Sequence, residues 1–212
     1  DAFNKGFKLA RGDYLTWLNS DDVFLPGSVA KVVKQISKTR QEWYAANVVY
    51  LNPDSKVIRC CYSWGWETWA QRFGILNVFG PSTIFSKDLF EQVGDLREDF
   101  HYCMDVEYWW RIAASGVSYE RIHEYLWGLR LHSDAKTASA VLSNERPPRM
   151  LEEGQEIGAK YFPQVSPIRK RCAVKVVQLW RCLNTSYLRS AFNNLRLKGK
   201  VLTRRSPNCQ TD

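Results

Sequence analysis

The sequence predicts an α/β domain, a mixed sheet flanked by helices, followed by a basic helical extension. Three observations carry this. Short, dense apolar runs of strand type alternate with amphipathic helical stretches along residues 1–143. The texture changes at Asn144, where Pro147-Pro148 marks a boundary and residues 144–212 read as helices. Charge divides at a similar place. Between Pro163 and Thr211 there are eleven Lys or Arg and no Asp or Glu, so the tail carries the whole excess behind the net charge of +8. The pI therefore says little about what the body binds.

The elements follow in order. Residues 1–10 form an amphipathic helix, with Phe3, Phe7 and Ala10 at helical spacing, broken by Arg11-Gly12-Asp13. Tyr14 to Leu18 is a dense apolar run, expected as a buried parallel strand, and it stops at Asn19-Ser20-Asp21-Asp22. Pro26-Gly27-Ser28 starts a helix with Val29, Val32, Val33 and Ile36 on one face. Trp43 to Leu51 and Val57 to Tyr62 flank Asn52-Pro53-Asp54-Ser55 as a hairpin. Thr83-Ile84-Phe85 is a strand, and Ser86 caps a helix ending near Gly94. A further helix runs from about Asp105 to Ala114, with Val106, Trp109, Trp110 and Ala113 as its apolar stripe, and Tyr125 to Leu131 is a strand ending at His132.

Composition narrows the class. With 45% apolar and 25% charged residues the chain buries a real core and is not a disordered tail. No apolar run approaches the roughly 18 residues of a transmembrane helix, and no export signal is visible. The six cysteines lack CxxC spacing, which argues against structural zinc and for free thiols in a reducing compartment, hence a cytoplasmic protein. Asp1 in place of Met, in mid-element, reads as the start of a fragment.

Three places could carry chemistry. Asn19-Ser20-Asp21-Asp22 lies at the carboxyl end of a strand, where α/β sheets place ligands, and its paired carboxylates suit Mg²⁺ or Mn²⁺. The same residues are also good turn formers. Asp105 opens a helix, where it either caps the backbone or takes a proton from an attacking hydroxyl. Arg111 is its helix's internal ion-pair partner or a phosphate contact, and Glu107 a structural charge. His132, after Arg130, opens a polar loop as a metal ligand, a phosphate donor or a solvated histidine. Trp64, Trp66 and Trp69 are either a platform for sugar rings and bases or packing. No Gly-rich phosphate loop, GxSxG elbow or HExxH is present.

The order of these blocks resembles the family 2 glycosyltransferases of the GT-A fold, over roughly residues 1–137. The blocks are Trp17-Leu18-Asn19-Ser20-Asp21-Asp22 with Pro26-Gly27, then Gly80-Pro81-Ser82-Thr83-Ile84-Phe85-Ser86, then Tyr102-Cys103-Met104-Asp105 through Arg111, then Arg130-x-His132. The resemblance implies an inverting sugar transfer from a nucleotide sugar to a hydroxyl of a saccharide or lipid-linked acceptor, in cell-surface polysaccharide synthesis. It makes Asp21 and Asp22 the ligands of Mg²⁺ or Mn²⁺ and of the donor, with Asn19, Arg130 and His132 beside them, and Asp105 the base. Asn19 stands where many members have Asp, a DxD-like variant. The family's N-terminal donor-binding strands are missing, so the chain reads as a truncated GT-A domain that turns over little by itself. The alternative is an incomplete fragment acting as a carbohydrate-binding or scaffold protein. A nucleotidyltransferase would need a basic phosphate loop near the start, and none is visible. The basic amphipathic tail suits an anionic membrane surface, on the inner face of the plasma membrane. No nucleic-acid-binding signature is found, so that partner is not expected.

Overall fold

A computed structural model describes residues 2–62, 67–132, 135, 141, 143 and 145–202 of the chain. Its elements are α1 (Ala2–Leu9), β1 (Tyr14–Leu15), β2 (Val23–Phe24), α2 (Ser28–Thr39), β3 (Trp43–Leu51), β4 (Val57–Cys61), α3 (Glu67–Gln71), β5 (Thr83–Ser86), α4 (Lys87–Val93), α5 (Met104–Ala114), β6 (Glu120–Arg130), α6 (Pro148–Tyr161), α7 (Pro167–Leu183) and α8 (Ser186–Leu197). The architecture is the expected α/β one, a mixed sheet flanked by helices.

The strands form one sheet in the order β1-β5-β3-β6-β2, with β4 also on β3. Strand β3 is its centre. It runs parallel to β6 along most of its length. Its other edge is shared end to end, by β5 against Trp43–Ala45 and by β4 against Val48–Leu51, both antiparallel. Eight of the nine β3 residues are buried, which explains their near-continuous apolar character.

The two faces of β3 feed two cores. Trp43 and Ala45 join Phe7, Trp17, Phe85, Leu89, Tyr108, Trp109 and Ile112 under α1, α4 and α5. Tyr44, Ala46 and Val48 join Ile84, Ile122, Leu126 and Trp127 on the α2 side. In the first core Trp109 stacks on Trp17 at 5.2 Å and on Trp43 at 5.9 Å, while Phe7 meets Phe85 and Phe90 edge-on. Such pairs add about 0.5–1.5 kcal/mol each beyond the area they bury. Buried Asn4 clamps α1 to the loop after α4, donating to the Leu96 carbonyl at 2.9 Å and accepting from its N–H at 2.8 Å.

Four details differ from the sequence expectations. Strand β1 is a two-residue edge strand antiparallel to β5, not a parallel one; its regular pairing stops at Leu15, and the Thr16 hydroxyl then donates to the Thr83 carbonyl at 2.7 Å. Helix α2 turns Val32 and Ile36 inward and leaves Val29 and Val33 exposed, so only one edge of the expected stripe packs on the sheet. Strand β6 begins at Glu120, five residues early, because its first half carries exposed polar residues and only the second half is densely apolar. On α5, Val106 is exposed, and the buried stripe instead includes Tyr108 and Ile112.

The C-terminal helices also pack on the sheet layer. Helix α6 sends Ile157 and Met150 against Phe100, Cys103 and Trp110. Helix α7 buries Ala173 and Val177, the latter against Ala70. Asn194 of α8 continues the free edge of β4, accepting from Cys60 N–H at 2.8 Å. Cys60, Cys61, Cys103, Cys172 and Cys182 are free thiols, and Cys209 lies outside the described residues.

Candidate active site

The acidic turn forms between β1 and β2. Asp22 N–H closes it onto the Asn19 carbonyl at 3.1 Å. The Asn19 amide donates to Asp22 Oδ2 at 2.7 Å, and the Arg130 backbone N–H, at the end of β6, donates to Asp22 Oδ1 at 2.9 Å. Asp22 is 9% exposed, and that burial raises its carboxyl above the usual range, against the pull of those two hydrogen bonds. Asp21 is more open, and His132 Nε2 lies 3.1 Å from its Oδ2. Asn19, Asp21, Asp22, Arg130 and His132 are therefore one cluster.

Arg130 has a constructional part in it. Its Nε donates to the Asp21 carbonyl at 3.0 Å, and one terminal nitrogen donates to the Pro53 carbonyl and Ser55 Oγ, both at 2.9 Å. It ties the acidic turn to the β3–β4 hairpin turn. Gly128 allows the close approach of β2 that this requires. A Cβ there would lie 2.6 Å from Leu51 Cδ1 and 3.0 Å from Val23 Cγ2.

Asp105 is in the first turn of α5 but is not its cap. The N-cap position is Cys103, which makes no side-chain cap bond. Asp105 Oδ1 accepts from Val106 N–H at 2.8 Å, and Oδ2 faces the Gly80 backbone, 3.6 Å from where a side chain would begin. Leu129 Cδ1 is 4.0 Å from that same point. Gly80 has φ +40°, so glycine both opens this space and takes a left-handed backbone. Asp105 and Leu129 thus both approach the Gly80 position, and Asp22 is bound to Arg130, the next residue of β6. Crowding by protein pushes the Asp105 carboxyl up to about 6, although part of the residue stays open to solvent. Tyr50, paired with Leu129 in the sheet, is close enough for the Asp105 charge to help raise its hydroxyl, after burial and Cys61.

Arg111 resolves as an ion-pair partner. It binds Glu107 Oε2 at 2.7 Å and the Asp95 carbonyl at 2.8 Å. Glu107 is 1% exposed and also takes the Tyr161 hydroxyl at 2.7 Å, so it is a structural charge. Trp64 and Trp66 lie outside the described residues, and Trp69 packs on Phe73. Among the described residues no group of three His, Cys, Asp or Glu side chains is placed to hold a metal ion. What the arrangement does offer is two adjacent carboxylates, a donor set that Mg²⁺ commonly takes when substrate phosphates complete its shell.

A mixed sheet flanked by helices, with an acidic turn after its first strand, resembles the GT-A fold. The comparisons agree. Residues 1–92 match the model of glycosyl transferase family 2. An uncharacterized glycosyltransferase of Rickettsia typhi is 24% identical over 151 residues, covering 67% of this chain and 46% of that protein. One of Rickettsia prowazekii is 22% identical over 190 residues, covering 78% and 52%. The chain spans about half the length of these curated relatives. Among solved structures, S. aureus TarS 1-349 in complex with UDP-GlcNAc aligns with a TM-score of 0.56 at 13% identity, over 93% of this chain and 55% of that one. The likeness read in the sequence is borne out as a match to the family 2 model over residues 1–92 and a GT-A-like fold.

Proposed function

We propose that the chain transfers a sugar from a nucleoside diphosphate sugar to a hydroxyl of a saccharide or lipid-linked acceptor, with inversion, in cell-surface polysaccharide synthesis. The observation that carries this reading is the pair of unlike carboxyl sites, a crowded Asp105 against Gly80 and the Asp21–Asp22 turn held on the end of β6. In this reading Asp105 takes the acceptor proton as the acceptor oxygen bonds to the anomeric carbon. The bond from that carbon to the diphosphate oxygen breaks, and its electron pair stays on the diphosphate. Asp21 and Asp22 would hold Mg²⁺ or Mn²⁺, which would supply positive charge to the leaving diphosphate. His132 and Asn19 orient the two carboxylates. The TarS complex with UDP-GlcNAc supports a uridine diphosphate sugar as donor.

Thermal shift with Mn²⁺ and a panel of nucleoside diphosphates and nucleotide sugars tests the site. A metal-dependent shift that disappears in Asp22→Ala is expected. No shift with any nucleotide would move the assignment to the second reading, a carbohydrate-binding or scaffold protein. That reading is favoured by one observation, that each Asp22 carboxylate oxygen already accepts a hydrogen bond from within the protein.

The same proposal places the protein at the cytoplasmic face of a membrane, held peripherally. Among the described residues no helix is long and apolar enough to cross one. On α7, Ile168, Leu179 and Leu183 are 73%, 61% and 70% exposed, and on α8 Leu188 and Phe192 are 69% and 62% exposed. These apolar side chains sit among Lys and Arg with no acidic residue in either helix, the composition of an interfacial helix.

A further inference from the structure

We propose that Glu153, on α6, is a positioning residue for the transfer, setting the backbone from which Asp105 is presented. The inference rests on the assignment of Asp105 as base. Its own basis is geometric. Glu153 is 7% exposed. Its Oε1 accepts from His101 N–H at 2.7 Å, and its Oε2 accepts from Tyr102 and Cys103 N–H, both at 2.8 Å. These are the three residues immediately ahead of α5.

A helix start leaves backbone N–H groups without partners, and a local Ser, Thr, Asp or Asn usually satisfies them. Here Cys103 holds the cap position and makes no such bond. A carboxylate about fifty residues away instead takes the N–H of Cys103 and of the two residues ahead of it. Its charge also sits where the helix dipole favours an anion. Burial works to raise the Glu153 carboxyl, but the three backbone donors and Arg149 outweigh it and hold it below the ordinary value. Arg149 Nε is 3.2 Å from Glu153 Oε1, and its guanidinium also reaches the Asp99 carbonyl at 3.0 Å.

A second grip lies beyond Asp105. Glu107 accepts from Tyr161 at 2.7 Å and from Lys160 at 3.3 Å, both at the end of α6. Helix α6 therefore holds the chain on both sides of Asp105, at residues 101–103 and at residue 107. Residue 105 has little freedom of its own between them. Misplacement of a reacting group by about 1 Å can cost about 100-fold in rate, so a carboxylate that never touches substrate can still govern turnover.

The test compares Glu153→Gln, Glu153→Asp and Asp105→Asn in the full chain. One readout is UDP release from a panel of UDP-sugars in the presence of saccharide acceptors, and the other is titration of the Asp105 carboxyl carbon by ¹³C NMR. Gln replaces one accepting oxygen with a donor that faces the 101–103 N–H groups. Glu153→Gln is expected to lower kcat about 10- to 100-fold with donor KM within about twofold. The Asp105 midpoint should fall from about 6 toward the ordinary carboxylate value as the group rehydrates. Glu153→Asp keeps the charge and should recover part of both, and it carries the test alone if the Gln variant does not fold. Parent kcat and an unmoved Asp105 midpoint in both variants would overturn the inference. Parent turnover in Asp105→Asn would instead overturn the assignment of the base, whatever the Glu153 variants do.

Discussion

A carboxyl pushed up to about 6 ionises close to neutral pH, and this sets how Asp105 should behave as a base. Only the ionised form accepts a proton. The kcat/KM of the transfer should therefore be flat above that value and fall about tenfold per unit as pH drops below it. Asp105→Asn should lose about 100- to 10,000-fold and with it the acidic limb. A limb that persists in the variant would assign the titration elsewhere. Gly80 was legible as the start of the Gly80-Pro81-Ser82 block, but its approach to Asp105 was not, because nothing in the local pattern links positions 25 residues apart. Glu153 was less legible still. It sits in a charged helix segment where one Glu looks like another, and only the packed structure shows which one is buried against three backbone N–H groups.

At the scale of elements, the site depends on β2 lying tight against β6. The sequence marked the turn at Asn19-Ser20-Asp21-Asp22, and Val23-Phe24 is too short a strand to be recognised by alternation. What seats it is Gly128, opposite Val23 in the register. Gly128→Ala would press a methyl against Leu51 and Val23 and should cost about 1–3 kcal/mol, as overpacking does in other cores. Urea unfolding would read this, and an unchanged midpoint would show that the strands spread without strain. The hairpin, α4 with its Ser86 cap, and α5 were legible because each carries its own signal, a turn sequence, a cap or a helical stripe. The inward face of α2 was not, because Val29, Val32, Val33 and Ile36 satisfy two overlapping stripes and the sheet chooses between them.

At the scale of the whole molecule, charge and apolar exposure coincide on α7 and α8. Each Lys or Arg near an anionic bilayer contributes about 1 kcal/mol, so the chain should sediment with vesicles containing phosphatidylserine or phosphatidylglycerol and not with pure phosphatidylcholine. About 0.5 M salt should release it, since screening shortens the reach of such charges to a few ångströms. Equal partition to both vesicle types would remove the membrane from the proposal. The basic tail was plain in the sequence, whereas the outward direction of its apolar residues depends on Ala173 and Val177 being the pair that packs. The stack of Trp17, Trp109 and Trp43 has an optical consequence. Trp17 lies two residues before the acidic turn, and Trp109 one turn after Asp105. Indoles 5.2 and 5.9 Å apart couple their excited states. Their near-ultraviolet circular dichroism therefore forms a built-in ruler between the two halves of the site, and any substrate that draws α5 toward or away from that turn should change the signal without a label.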